Sequence, residues 1–340
     1  MRRLTNEQEL SSEDSSFPHH KARSRSADLW SVVLAGGDGT RLRSLTRAIT
    51  GDERSKQFCA VLGDETLLDQ TRSRIALAVR PEQTIFVLTR NHERFYDPLL
   101  RDVPGERLVV QPKNAGTAPA ILYSLLRLSK AAPTATVAFF PSDHYFSDDA
   151  VFMSYVESAF EAARTRDDTV ILLGIEPDWP EAGYGWIEPA SQDSPGNRGA
   201  LRRVLRFWEK PAAGIARGLM GRGCLWNSFV MVGRVSAFLE MCRRASPDLY
   251  DRFNDLTWAL DTTDEAETIA GLYSQLGDIN FSREILAARP GDLAVLPVGG
   301  LRWSDLGEPQ RVLSTMADIG LGPVAERFWN AEAASKVAAR

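Results

Sequence analysis

The amino-acid sequence predicts an α/β fold in which a mostly parallel sheet is covered by helices on both faces. Three observations carry this prediction. Short apolar segments alternate with amphipathic segments of about a dozen residues between positions 30 and 175. Such alternation is typical of parallel strands joined by crossover helices. A glycine-rich loop and an acidic loop each follow an apolar segment, at the strand ends where open α/β sheets bind ligands.

The first half of the chain supplies the regular part of this pattern. Strands are predicted at 30–34, 84–89, 108–110, 136–140 and 169–175, and helices at 66–79, 117–128 and 149–164. In the less regular second half, strands are predicted at 183–188, 201–208, 226–232 and 293–298, and helices at 235–244 and 247–260. We divide the chain into a polar, disordered tail (1–28), one folded domain (29–309) and an Ala-rich C-terminal helical cap (310–340).

Composition excludes several classes of protein. The chain has 340 residues, a formal net charge of −5, and hydrophobic and charged fractions of 44% and 25%, which is ordinary for a globular protein. A nucleic-acid partner is not expected, because such proteins usually carry a basic face. No apolar run reaches the ~18 residues of a membrane span, so we expect no membrane association and a cytoplasmic location. Cys59, Cys224 and Cys242 lack metal-site spacing and are expected to be buried thiols.

The first predicted strand ends in a glycine-rich loop. Glycines let backbone N–H groups approach an anion closely, and Arg41 adds a fork-shaped cation that suits phosphate. The pattern is not that of a P-loop. It also differs from the dinucleotide fingerprint, because no regular helix is predicted to follow directly. We therefore predict that a nucleotide's phosphates bind at Leu34, Ala35, Gly36, Gly37, Gly39, Thr40 and Arg41.

This loop, LAGGDGTRLRSLT, together with SKQF at Ser55–Phe58, resembles the signature of the sugar-1-phosphate nucleotidyltransferases. The sequence is most similar to the mannose-1-phosphate guanylyltransferase branch, through motifs that follow in order from about position 30 to 313. The resemblance implies a Rossmann-like fold of the nucleotide-diphospho-sugar transferase type, with 29–309 as the catalytic domain. It also implies a reaction that joins a sugar 1-phosphate to a nucleoside triphosphate and releases pyrophosphate.

Two acidic motifs extend the resemblance. Asp143, in FPSDH, follows a predicted buried strand, and Asp305 lies in the late motif WSDLG. The resemblance assigns both aspartates as ligands of a catalytic Mg²⁺, an ion that prefers one or two carboxylates plus phosphate oxygens. His144 is interpreted as a structural histidine beside this site.

The sugar-binding side is implied by three further motifs. In WEKP, Lys210 would grip the sugar phosphate and Glu209 would accept hydrogen bonds from sugar hydroxyls. Asn227, in WNS, would also bind sugar hydroxyls. For Trp186 and Trp226, a place in the core and a place against the ligand are equally open. The sugar site is also predicted to include Gly183, Tyr184 and Gly185.

The segment QPKNAGTAPA is similar to the base-recognition segment of the branch and places Gln111, Gly116 and Thr117 near the nucleotide base. The branch usually carries Glu where this chain has Gln111, and Arg-Asn where it has Ala115-Gly116. Because Gln offers an amide rather than a pure acceptor, base selectivity stays open. GTP and mannose 1-phosphate are favoured, and another base or another sugar is the alternative. Phe229 also replaces a common glycine.

The implied chemistry needs no general base, because the attacking phosphate oxygen is already anionic at pH 7. Catalysis would then depend on positioning and on neutralising charge. The predicted catalytic set is Arg41, Lys56, Asp143, Lys210 and Asp305, with Arg41 on the β- and γ-phosphates and Lys56 near the α-phosphorus. A homodimer is an expectation. A non-catalytic regulatory paralogue is a second hypothesis, and a molybdenum-cofactor nucleotidyltransferase, which should lack EKP and WSDLG, is a third.

Overall fold

The computed structural model describes residues 28–191 and 200–323. Residues 1–27 of the predicted tail and 324–340 of the predicted cap lie outside the described residues. The described strands are β1 Leu29–Leu34, β2 Thr84–Thr89, β3 Leu108–Gln111, β4 Thr136–Pro141, β5 Tyr145–Phe146, β6 Val170–Ile175, β7 Gly185–Pro189, β8 Arg202–Glu209, β9 Leu225–Arg234, β10 Leu293–Val298 and β11 Trp303–Ser304. The described helices are α1 Arg43–Thr50, α2 Leu67–Ile75, α3 Glu93–Tyr96, α4 Thr117–Ala131, α5 Asp149–Ala163, α6 Ala213–Gly221, α7 Val235–Ala245, α8 Pro247–Asn254, α9 Glu265–Ser274 and α10 Pro309–Asp318.

A nine-stranded mixed sheet forms the centre of the described structure, in the order β3-β2-β1-β4-β9-β6-β10-β8-β7. Strands β3, β2, β1 and β4 are parallel, and β6 and β10 are parallel to each other. Strand β9 lies antiparallel between β4 and β6, and β8 is antiparallel to β10. Strand β7 folds back to pair with both β8 and β9. Strands β5 and β11 form a separate two-stranded sheet.

The sequence explains why the central strands and their helices form. Strands β2, β4, β6 and β10 are buried at every residue, as expected for strands covered on both faces. Helix α2 begins where the Thr66 side chain accepts a hydrogen bond from the Asp69 N–H. Helix α5 begins in the same way, with Asp148 accepting from the Val151 N–H. Both are side-chain caps of the usual kind.

Three apolar clusters fill the described structure. One face of the sheet packs against α4, α7, α8 and α9, and the other against α2, α5 and α6. A third cluster joins α1 and α10 to the loops around Leu62 and Leu306. The predicted α/β class, with helices on both faces of a mostly parallel sheet, is confirmed. The 29–309 boundary and the cap stay predictions.

Several element predictions were wrong. A helix does follow the glycine loop: a 3₁₀ turn at Thr40–Leu42 leads directly into α1. The predicted helix 247–260 ends at Asn254, and a 3₁₀ turn follows at Thr257–Ala259. Helices α3, α6 and α9 were not predicted. The three cysteines are buried, as expected.

Candidate active site

One open cavity of about 420 Å³ lies at the carboxyl ends of β1, β3 and β4, whose last residues Leu34, Gln111 and Pro141 line it. Ligands bind at this edge of open α/β sheets. The cavity is lined by residues from both halves of the sheet. The predicted site residues in its walls are Leu34, Gly36, Gly37, Gln111, Gly116, Thr117, Asp143, Gly183, Tyr184, Gly185, Glu209, Lys210, Asn227 and Asp305.

The glycine loop is shaped by a residue that was not predicted to act. Gln57 lines the cavity, and its Nε2 donates to the carbonyl oxygens of Ala35 at 3.0 Å and Gly37 at 2.8 Å. Gln57 is 1% exposed, so this amide is fixed. The SKQF segment therefore holds the loop from behind, which leaves Gly36 and Gly37 facing the cavity.

The other predicted residues of this loop lie outside the cavity wall. Ala35 is buried, and Gly39, at φ 59°, begins the 3₁₀ turn that contains Thr40. The Arg41 side chain is 58% exposed and pairs with Glu308 at the start of α10, at 2.6 Å. The predicted contact between Arg41 and the β- and γ-phosphates stays a prediction.

The chain segments that carry the two predicted metal carboxylates, Asp143 and Asp305, meet at Lys56. Its Nζ lies 3.2 Å from Asp143 Oδ2 and donates to the backbone carbonyls of Asp305 at 2.5 Å and Leu306 at 3.0 Å. The Lys56 side chain is only 11% exposed. Lys56 thus joins two segments that are distant in the sequence, and it does so from behind the cavity wall. Its predicted place near the α-phosphorus stays a prediction.

A second cation, Arg311 on α10, holds the other side of Asp305. Its Nε donates to Asp305 Oδ1 at 2.9 Å and its Nη2 to Oδ2 at 3.3 Å. The Gly307 N–H also donates to Oδ1, at 2.8 Å. Arg311 Nη1 reaches Glu181 Oε2 at 3.3 Å, and Glu181 accepts from the Gly183 N–H at 2.7 Å. Arg311 therefore ties Asp305 to the loop that carries Gly183.

These charges determine how Asp305 and His144 ionise. Burial by itself would raise the pKa of Asp305, but Lys56 and Arg311 outweigh it and hold that pKa below its usual range. Burial lowers the pKa of His144 to about 4, so the ring is neutral. Trp303 Nε1 donates to His144 Nδ1 at 3.3 Å, which leaves Nε2 protonated, 3.8 Å from Asp143 Oδ1. His144 thus supports Asp143, in line with a structural role.

The donor set fits a Mg²⁺ ion that also binds phosphate oxygens. Asp143 and Asp305 are 23% and 20% exposed and both line the cavity. No group of three or more His, Cys, Asp or Glu side chains that could hold a metal occurs within residues 28–191 and 200–323. Two carboxylates without a protein cage are the usual arrangement for Mg²⁺ at nucleotide sites. Mg²⁺ itself stays a proposal.

Glu209 and Lys210 line the same cavity as Gly183 and Gly185, the glycines of the predicted sugar-binding segment. Lys210 Nζ lies 3.9 Å from Glu209 Oε1, and its side chain is 55% exposed. Burial raises the pKa of Glu209, while Lys210 and Arg283 oppose that shift. A β-carbon on Gly185 would stand 3.2 Å from Glu209 Oε2, so glycine lets this carboxylate approach the loop.

Strand β9 places Asn227 in the same wall. Asn227 Oδ1 accepts a hydrogen bond from the Phe229 N–H at 3.1 Å. This bond lies where the pairing between β6 and β9 shifts its register. Phe229 lines the cavity at φ 60°, a left-handed conformation that Lys210 (47°) and Leu306 (46°) also adopt. Trp186 and Trp226 are 0% and 1% exposed and belong to the core. The open question about these two tryptophans is settled in favour of packing.

The predicted base-recognition segment closes against the glycine loop and against the loop at 278–280. Asn114 Nδ2 donates to Asp38 Oδ2 at 3.0 Å, and Asn114 Oδ1 accepts from the Gly116 N–H at 3.0 Å. Gly116 has φ 88°, and a β-carbon there would stand 2.4 Å from the Ile279 carbonyl oxygen. Thr117 Oγ1 accepts from the Phe281 N–H at 2.8 Å. The segment is therefore held on both sides.

Sequence reasoning missed several residues of the site. Gln57, Asn114, Asp278, Asn280 and Ser282 line the cavity without having been predicted. Gln57 could have been found, because it stands in the quoted SKQF motif. Asn114 could also have been found, because it stands in the quoted QPKNAGTAPA segment. Asp278 and Asn280 lie in the loop after α9, and Ser282 begins a short π-helix; their place beside the cavity depends on contacts distant in the sequence.

Comparison with known proteins identifies the family. The family model described as Nucleotidyl transferase matches residues 30–320. The chain belongs to the nucleotidyl transferase family. This match confirms the family that the motifs predicted. It covers the glycine loop, Asp143, Glu209–Lys210 and Asp305 of this chain.

Curated relatives are similar over most of this chain. The xanthan biosynthesis protein XanB of Xanthomonas campestris pv. campestris (strain B100) is 29% identical over 303 residues, which cover 87% of this chain and 61% of the relative. Mannose-1-phosphate guanylyltransferase of Escherichia coli K12 is 28% identical, covering 82% of this chain and 58% of the relative. The chain thus spans about three fifths of the length of these relatives.

Solved structures agree on the fold. A protein from Thermus thermophilus, described as a mannose-1-phosphate geranyltransferase, superposes with a TM-score of 0.70 at 26% identity, covering 82% of this chain and 76% of that one. The inositol-1-phosphate CTP transferase from T. maritima, at 14% identity and a TM-score of 0.51, covers 90% of this chain and 96% of that one and shares the fold alone. None of the helices in the described part of the chain combines the length and apolarity that a membrane crossing needs.

Proposed function

We propose that this protein transfers a nucleotidyl group from a nucleoside triphosphate to a sugar 1-phosphate and releases pyrophosphate. The observation that carries the proposal is that Asp143 and Asp305 line one cavity, while Lys56 contacts the carboxylate of Asp143 and the backbone carbonyl of Asp305 from behind its wall. The glycine loop lies in the same cavity, and so does the Glu209–Lys210 pair. A site that only bound a nucleotide sugar would have little need for two metal carboxylates.

The favoured substrates are GTP and mannose 1-phosphate. The motif resemblance supports this choice, and so does the similarity to an E. coli mannose-1-phosphate guanylyltransferase. The replacement of Glu by Gln111, and of Arg-Asn by Ala115-Gly116, keeps other bases and sugars as the alternative. A cytoplasmic location and a homodimer remain part of the proposal.

In the proposed mechanism, the two ends of the cavity hold the two substrates. The backbone of Gly36 and Gly37 would cradle the triphosphate, as N–H groups of glycine loops do for anions. Lys210 would bind the phosphate of the sugar 1-phosphate, and Glu209 and Asn227 would bind its hydroxyls. The phosphate oxygen could then attack the α-phosphorus from a fixed position, which is the main source of catalysis when no proton must be removed.

The charges near Asp143 are arranged for phosphate chemistry. Mg²⁺ bound by Asp143 and Asp305 would supply a Lewis acid that offsets the phosphate charge. Lys56 and Arg311 keep the carboxylate of Asp305 ionised by lowering its pKa. Neutral His144 keeps an N–H toward Asp143. These residues would thus maintain an anionic, oriented metal site at neutral pH.

A substrate panel tests the proposal. Purified protein with Mg²⁺ is incubated with GTP, ATP, UTP, dTTP or CTP and with several sugar 1-phosphates, and pyrophosphate release is measured. We expect GTP with mannose 1-phosphate to be the best pair. Activity with another pair would keep the reaction and change the specificity. No release with any pair would favour the non-catalytic regulatory alternative.

A further inference from the structure

Arg311, which no sequence motif indicated, contacts both the loop of the proposed metal site and the segment of the proposed sugar site. Its guanidinium donates to the two oxygens of Asp305 and to Glu181 Oε2. The same group lies 4.8 Å from the ring centroid of Tyr184, within the range of a cation–π contact. The Arg311 side chain is 13% exposed. Its planar fork is therefore held by three partners at once.

On the metal side, the hydrogen bonds give the two oxygens of Asp305 different roles. Oδ1 accepts from the Gly307 N–H at 2.8 Å and from Arg311 Nε at 2.9 Å, which together use both lone pairs of that oxygen. Oδ2 accepts from Arg311 Nη2 at the longer distance of 3.3 Å, a contact that takes at most one of its two lone pairs. Oδ2 is thus the oxygen of Asp305 that is better placed to bind a metal ion.

On the sugar side, Glu181 extends the hold of Arg311 to the cavity wall. Glu181 Oε1 accepts from the Gly183 N–H at 2.7 Å, while Oε2 accepts from Arg311 Nη1 at 3.3 Å. The Glu181 backbone carbonyl accepts from Nε1 of buried Trp186 at 2.8 Å. Because Gly183 and Tyr184 line the cavity, the position of this part of the wall depends on Arg311.

We propose that Arg311 is a positioning residue for both substrates, which turns Asp305 Oδ2 toward the metal ion and holds the segment 181–184 for the sugar 1-phosphate. Hydrogen-bond partners of a metal-binding carboxylate typically change metal affinity ~10–100-fold when they are removed. Lysine could not replace Arg311, because a single ammonium group lacks the fork that serves two carboxylates. This inference rests on the proposed function and adds that its two sites share one support.

Two variants of the full chain separate the two tasks. Arg311→Lys keeps a cation but cannot hold both carboxylates. It should raise the Kd for Mn²⁺, measured by electron paramagnetic resonance, ~10-fold. It should also raise KM for the sugar 1-phosphate of the best pair in the substrate panel ~5-fold, the effect of one lost hydrogen bond. Glu181→Gln keeps an oxygen for the Gly183 N–H but loses the charge that pairs with Arg311. It should raise that KM similarly and leave the Kd for Mn²⁺ within twofold of wild type.

Arg302→Met is the control, because Arg302 pairs with Asp318 on α10 but is 63% exposed; both values should stay at the wild-type level. Circular dichroism checks that each variant keeps the native fold. The inference is overturned if Arg311→Lys leaves either value within twofold of wild type. It is also overturned if Glu181→Gln weakens Mn²⁺ binding as much as Arg311→Lys does, since general loosening would then explain both variants.

Failure of the proposed function would look different. Wild-type protein that binds Mn²⁺ but releases no pyrophosphate with any pair would refute the reaction. The Kd for mannose 1-phosphate, measured by calorimetry, would then replace KM, and the same criteria would decide the role of Arg311.

Discussion

Replacing Arg311 by Met should destabilise the protein in a pH-dependent way. Met keeps a long apolar stem but removes the three charge-assisted hydrogen bonds to Asp305 and Glu181. Breaking a buried ion pair by removing one partner costs about 3–5 kcal/mol, because a buried charge is left alone. Arg311 and Asp305 are 13% and 20% exposed, so we expect the lower end, about 3 kcal/mol.

The dependence on pH follows from the pKa of Asp305. That pKa is lowered in the folded protein. The ionised Asp305 therefore stabilises the fold at pH values above the ordinary aspartate pKa of about 3.9. This stabilisation is lost as the pH falls through the folded pKa. Without Arg311, Lys56 alone of the two cations opposes the effect of burial, so the pKa of Asp305 rises relative to wild type. Protonation of Asp305 then removes the charge that Arg311 no longer compensates. The stability difference between wild type and Arg311→Met should therefore shrink from pH 7 toward pH 4 and below.

Urea unfolding followed by circular dichroism measures this difference, with a chelator present so that no metal contributes. A loss of about 3 kcal/mol corresponds to a midpoint roughly 1 M lower. Arg302→Met is the control. Arg302 pairs with Asp318, which lies on α10 like Arg311, but the Arg302 side chain is 63% exposed. Such exposed pairs contribute about 1 kcal/mol or less. A difference below about 1 kcal/mol for Arg311→Met at pH 7, or one that does not change with pH, would refute the reasoning.

Four further predictions concern the site and the buried thiols. Asp143→Asn should reduce pyrophosphate release at least ~100-fold, since a metal ligand contributes several kcal/mol to catalysis, while the native fold, checked by circular dichroism, is retained. Activity near the wild-type level would remove Asp143 from the mechanism. A chelator should abolish release and added Mg²⁺ should restore it, and release that persists in excess chelator would contradict the metal proposal. Gly116→Ala should weaken nucleotide binding measured by calorimetry. The alanine β-carbon would lie 2.4 Å from the Ile279 carbonyl oxygen, and the backbone at this position has φ 88°. Unchanged binding would show that the loop at 278–280 moves to accommodate the added methyl group. The thiols of Cys59 and Cys242 are buried, and burial raises both pKa values to about 12; they should resist a thiol reagent until urea unfolds the chain, and rapid labelling of native protein would argue against the described packing.

The fold class could be predicted because apolar strands and helical segments alternate clearly in the first half of the chain. The order of the strands could not. Nothing in the segment at 226–232 indicates that β9 runs antiparallel between β4 and β6, since strand direction depends on where the preceding chain returns to the sheet. Helix α9 was missed as well, although it packs against one face of the sheet.

The motifs located much of the cavity wall, because the glycine loop and Asp143 stand just after strands and Glu209 ends one. Residues that act through another side chain were harder to find. Arg311 was interpreted only as part of an Ala-rich helix, yet it contacts Glu181, a residue 130 positions earlier. Arg41 shows the opposite case, since its residue type suits phosphate but its side chain pairs with Glu308.

Three residues in or beside the cavity wall, Lys210, Phe229 and Leu306, have left-handed backbone conformations. For a residue with a β-carbon this conformation costs about 1–2 kcal/mol, so the protein gives up several kcal/mol of stability at the place where its two substrates would meet. Selection for heat resistance alone should therefore favour glycine at these positions. Such variants would melt later and turn over more slowly, because the Lys210 ammonium group would be lost or the support of Asp305 loosened, as in other trade-offs between stability and activity.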